Sequence, residues 1–147
     1  MLNDLPPSGE WTGYYLYAHS GLRHRMRLNL TFTMDGSING EGVDDIAPFV
    51  IEGRFDCAMS AARWTKAYVG MHSVEYSGFY CQQVICGDWT LGRAMGGFWI
   101  WPSGLEQSME EQTELGEPLE LFQSNFRNAF CQVEHTTPRL VFCAHVR

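Results

Sequence analysis

From Trp11 to Trp101 the chain alternates apolar and polar side chains in short runs, and nearly every run is closed by a turn signal. Residues Trp11–Ala18, His24–Thr33, Ser37–Gly42, Phe49–Phe55, Ala62–Val69, Ser73–Tyr80, Val84–Leu91 and Gly97–Trp101 read as strands. Period-2 alternation sets one face of such a run on a core and the other in water. The clearest case is His24–Thr33, where Arg23, Arg25 and Arg27 alternate with His24, Met26, Leu28, Leu30 and Phe32. Gly13, Gly40, Gly53, Gly78, Gly87 and Gly97 fall within or at the edge of six of these runs. A strand glycine marks a bend, a bulge or a close backbone approach, and its repetition from strand to strand suits a sheet curled tightly enough to close.

The connections are short, so neighbouring strands run antiparallel in an up-and-down meander. Met34-Asp35-Gly36-Ser37 predicts a two-residue hairpin of type I′, with Gly36 supplying a positive φ. Asp44-Asp45-Ile46-Ala47-Pro48 is a longer link, and Pro48 is barred from a central ladder position. Gln82-Gln83 is the weakest turn signal, since neither residue favours a turn conformation.

After Trp101 the pattern changes. Ser103-Gly104-Leu105-Glu106 matches a capping box and predicts a helix from about Gly104 to Leu115. Six glutamates between Glu106 and Glu120 make that segment acidic, as a solvated helix face would be. Arg139–Val146 reads as a last strand, one that could cover the seam between the first and last barrel strands. The expected fold is therefore all-β: an antiparallel up-and-down barrel of about eight strands, with a short acidic helix and a C-terminal strand packed on it. One domain spans 1–147, its meander over 1–102 and its helix and tail over 103–147.

Composition narrows the function classes. At 147 residues, 45% hydrophobic and 14% aromatic, the chain is large enough to bury a core and too apolar for disorder. A formal charge of −7 argues against a nucleic-acid partner, whose phosphates need a basic face. No apolar run reaches the roughly 20 residues of a membrane helix, and the first residues lack a secretory pattern. With five cysteines, an odd number, the reading is reduced thiols in a cytoplasmic protein without a membrane partner.

Chemistry-bearing constellations are few. Cys131, His135, Cys143 and His145 could in principle hold zinc, but the spacing is not that of a finger or ribbon, so no metal is expected. Asp44 and Asp45 read as loop-capping residues. No nucleophile, acid and base can be assembled from spacing, and there is no phosphate loop, HExxH or dinucleotide fingerprint, so neither an enzyme nor a cofactor is indicated. The strand aromatics carry more information, because inward Trp and Tyr in a small barrel either fill the lumen or line a ligand cavity.

Gly9-Glu10-Trp11 resembles the G-x-W that opens the first strand of lipocalins and avidins, members of the calycin superfamily. Ile51–Asp56, then Trp64-Thr65-Lys66-Ala67-Tyr68, then Tyr76-Ser77-Gly78 and Trp89 follow an avidin-like order. The resemblance implies a calycin-like barrel, and in lipocalins a late basic residue, here Arg127 or Arg139, packs over the first tryptophan. Gly13 stands where avidins carry a biotin-binding asparagine, so biotin binding is not expected. Two functions follow as expectations. One is a module that holds a small apolar or aromatic ligand in the barrel mouth between Tyr15, Tyr17, Trp64, Tyr68 and Trp89. The other is a filled barrel that serves as a protein-interaction scaffold.

Overall fold

In the computed structural model, which describes residues 5–105, eight antiparallel strands close into a barrel in the order in which they occur along the chain. They are β1 (Gly9–Tyr15), β2 (His24–Phe32), β3 (Ser37–Asp44), β4 (Pro48–Asp56), β5 (Ala61–Tyr68), β6 (Ser73–Cys81), β7 (Val84–Leu91) and β8 (Ala94–Pro102). Closure is made by β1 and β8, paired from Trp11↔Pro102 to Tyr15↔Phe98. The seam therefore needs no covering strand, which corrects the role considered for Arg139–Val146. The predicted acidic helix lies outside the described residues beyond the single 3₁₀ turn Ser103–Leu105, and so does the C-terminal strand.

Alternation decides which side chains enter the lumen. On β2, Met26, Leu28, Leu30 and Phe32 are buried while Arg25, Arg27, Asn29 and Thr31 are exposed, as the period-2 pattern requires. Strands β6 to β8 depart from it. Phe79, Cys86, Trp99 and Trp101 lie on the outward face and are nonetheless buried. The unbroken apolar run Phe98-Trp99-Ile100-Trp101 is the sequence signature of a strand buried on both faces.

Close strand approach explains the inward glycines. A Cβ on Gly13 would sit 2.1 Å from the Trp99 carbonyl oxygen, and one on Gly53 would sit 2.1 Å from that of Arg63. Neither position has room for a methyl group on the concave side of so tight a sheet. The glycine that stands at the avidin asparagine position is thus dictated by the approach of β8.

Two turns differ from expectation. A type I′ hairpin needs positive φ at both central residues. At the β2–β3 turn only Gly36 has it (φ 92°), and the connection is a four-residue one closed by Gly36 N–H donating to the Thr33 carbonyl at 2.9 Å. The two-residue left-handed turn occurs instead at Gln82 (φ 52°) and Gln83 (φ 68°), between the paired Cys81 and Val84. Register forces this: once β6 and β7 pair through to that rung, only two residues remain to reverse the chain. Left-handed backbone costs a non-glycine residue about 1 kcal/mol, so Gln82→Asn with Gln83→Gly should stabilise the protein by roughly 1 kcal/mol, read as an upward shift in thermal midpoint.

The two ends of the barrel are unlike. At the end where β1 begins, Trp11 packs on Phe32 and Tyr80 at 5.8 and 6.5 Å between centroids, and Phe55 packs on Phe32 and Tyr80 at 6.2 Å each. Leu5 adds to this plug, and the Trp11 indole N–H donates to the Pro7 carbonyl at 2.9 Å. The opposite end, ringed by connections 16–23, 45–47, 69–72 and 92–93, holds the polar groups. This end is the mouth.

Candidate polar and aromatic site at the barrel mouth

Lys66 faces inward from β5 between Trp64 and Tyr68, and only 1% of it is exposed. It is the chain's single lysine; the other nine of its ten basic residues are arginines. Its ammonium lies 4.8–5.0 Å from the ring centroids of Tyr15, Phe49, Tyr68 and Tyr76, close enough for attraction to each ring face. Nζ donates to Asp44 Oδ2 at 2.8 Å. The same oxygen accepts the Tyr68 hydroxyl at 2.6 Å. Asp44 Oδ1 meanwhile accepts the backbone N–H groups of Ile46 and Ala47 at 2.9 and 3.4 Å. The expected loop cap is therefore present, and the same carboxylate also neutralises a lysine inside the barrel.

Asp45 turns the other way along the rim. Its Oδ1 accepts the Tyr15 hydroxyl at 2.7 Å, and its Oδ2 lies 2.6 Å from His24 Nδ1. The imidazole stacks on Tyr15 at 4.7 Å and 18°, while Tyr17 stands edge-on to both His24 and Trp89. The Trp89 indole N–H donates to the Leu16 carbonyl at 2.9 Å, tying the β1–β2 connection to β7. Adjacent residues in extended chain point apart, so one aspartate serves the lumen and its neighbour serves the rim.

Electrostatics follow from this geometry. Burial drives the Lys66 pKa below the ordinary lysine value, and the hydrogen bond and charge of Asp44 oppose that fall. For Asp45, burial pushes upward, yet hydrogen bonds from His24 and Tyr15 outweigh it and leave the carboxyl below its usual range. Burial, followed by the facing carboxylates, raises Tyr15 and Tyr68 far above the usual phenol value, and burial followed by the charge of Asp44 does the same for Tyr76.

Of the residues read from sequence as ligand-binding, Tyr15, Tyr17 and Trp89 form one packed group at the rim. Tyr68 is joined to them through Lys66 and Asp44. Trp64 lies deeper, stacked on Tyr76 at 5.5 Å and 12° and edge-on to Phe98. Sequence reading passed over Lys66, Asp44 as its partner, and the rim pair His24–Asp45. A signal for the first was present: in Trp64-Thr-Lys66-Ala-Tyr68 the lysine occupies the parity of the buried aromatics.

The arrangement offers aromatic faces, a buried ion pair and a half-exposed carboxylate, which suits recognition. Among the described residues no group of three or more His, Cys, Asp or Glu is placed to hold a metal ion, and Cys131, His135, Cys143 and His145 lie outside them. No helix among the described residues is long and apolar enough to cross a membrane. Neither a family model, nor a curated protein, nor a solved structure matches this chain. The likeness to calycins stands at the level of architecture, an antiparallel eight-strand closed barrel.

Proposed function

We propose that the protein is a binding module of lipocalin- or avidin-like design that holds a small apolar or aromatic ligand at the barrel mouth, against Tyr15, Tyr17, Tyr68 and Trp89, with Trp64 below. The observation that carries this reading is the asymmetry of the two ends. One is closed by an aromatic plug, while at the other a few polar groups converge among aromatic faces, the usual make-up of a small-molecule site. Every connection around that mouth also presents an exposed large apolar side chain at its tip or margin: Leu22, Ile46, Met71 and Met95. Apolar tips beside a site favour an apolar guest.

The test is a panel of small aromatic compounds screened by thermal shift and tryptophan fluorescence. A binder should raise the melting temperature and alter the emission. Tyr17→Ala should weaken its binding about tenfold or more while leaving the free protein's melting temperature nearly unchanged, because Tyr17 lies at the half-buried rim. The second reading, a protein-interaction scaffold, draws on the outward row Arg25 and Arg27 beside Arg23. It expects no small-molecule binder and a complex with an acidic protein that weakens as salt rises.

A further inference from the structure

The lumen beneath the mouth is rich in hydrogen-bond donors and poor in acceptors. Trp64 is 2% exposed, and its indole N–H has no hydrogen-bond partner. The Tyr76 hydroxyl beside it, 3% exposed, meets only the weak acceptor Met26 Sδ at 3.8 Å among the described residues. Lys66 Nζ approaches the same sulfur at 3.7 Å, so one thioether is shared by two donors. The nearby carboxylate is fully used, since Asp44 Oδ2 already accepts Lys66 and Tyr68 and Oδ1 accepts two backbone amides. Buried donors are normally satisfied, and a native exception calls for an acceptor that the chain does not itself supply.

Resting on the reading of the barrel as a small-ligand site, the geometry points to a guest of one chemical class: a neutral carbonyl compound with an apolar or aromatic body, whose oxygen accepts from Trp64 and its neighbouring donors. Charge selects the neutral form. The Lys66 cation is matched by Asp44, and Asp45 adds a second carboxylate at the rim, so an anionic guest meets net negative charge. An amine would bring further donors to a lumen short of acceptors. A hydrocarbon would fill the same space and leave the indole N–H unmet.

The experiment is an NMR titration of the full-length ¹⁵N-labelled protein with acetophenone, ethylbenzene, benzylamine and benzoate as probes. The five tryptophans report through their indole N–H signals, and that of Trp64 is assigned by its loss in Trp64→Phe, or by its contacts to Tyr76 and Phe98 if that variant does not fold. Acetophenone should bind about tenfold tighter than ethylbenzene, the worth of one added hydrogen bond at a buried donor. It should move the Trp64 indole proton downfield and leave that of Trp11, already bonded to Pro7, in place. In Trp64→Phe the preference for acetophenone over ethylbenzene should disappear. Equal affinity for acetophenone and ethylbenzene with an unmoved Trp64 signal would overturn the acceptor requirement while leaving the small-ligand reading intact. Tightest binding of benzoate or benzylamine would overturn the assigned class in the same way. Failure of all four probes to bind would count against the small-ligand reading itself, and the carbonyl assignment would fall with it.

Discussion

Asp44→Asn should destabilise the protein by about 3–5 kcal/mol, because it leaves the Lys66 ammonium buried without its counter-charge. For a chain of this size the loss corresponds to a fall in melting temperature on the order of 10 °C. The substitution keeps an oxygen for the Ile46 and Ala47 amides, so the loop cap is largely retained and the effect isolates the charge. The variant should also acquire a pH dependence that the parent lacks. Unpaired Lys66 folds most easily as the neutral amine, whereas in the unfolded chain it holds its proton up to its ordinary pKa of 10.5. The unfolded state then binds more protons than the folded one, and stability rises with pH towards that value. Adding Lys66→Met should restore most of the lost stability, since an apolar side chain of similar length suits four aromatic neighbours without needing a partner. Thermal unfolding of the two single variants and the double variant, run at several pH values, measures each of these effects.

The second large effect lies at alkaline pH. Tyr15, Tyr68 and Tyr76 are 3%, 4% and 3% exposed, and all three resist ionisation in the fold, first through burial and then through the carboxylates that face them. In the unfolded chain each would release its proton near the ordinary value of 10.0. Above that pH the folded state binds more protons than the unfolded state, so stability falls as pH rises. The slope is about 1.4 kcal/mol per pH unit if Tyr76 alone keeps its proton, and about 4 if the two mouth tyrosines keep theirs as well. Unfolding should therefore become cooperative between about pH 10.5 and 12, with the three buried phenols ionising only as the barrel opens. Absorbance near 295 nm, followed alongside circular dichroism, checks this: a smooth non-cooperative titration of all six tyrosines with the β signal preserved would contradict it.

Much of the architecture was legible because one physical rule, period-2 alternation, ran through most of the chain. His24 to Phe32 shows it most clearly, and the parity read there carries through to the closing rung between Tyr15 and Phe98. Strand ends were less legible. Pro48, which can donate nothing to a ladder, still opens β4 opposite Val43 because it occupies the first position. The Gln82–Gln83 turn was illegible from local preference, since its conformation is imposed by pairing on both sides. The candidate site was half legible. Its aromatics could be named from their strand parity, while its charges could not, because a buried lysine contradicts the ordinary expectation and finds its partner 22 residues away. Only closure of the barrel brings Asp44 of β3 and Lys66 of β5 together across the lumen.

The most direct test of the account is an amide-resolved NMR map of the aromatic panel on the full-length protein. The account predicts that binders perturb backbone amides of the mouth, at 15–24, 44–48, 66–72 and 89–97, and leave the far-end turns at 33–36, 57–60 and 82–83 unmoved. Perturbations confined to the outer wall or the far-end turns, or a panel without a single binder, would contradict it.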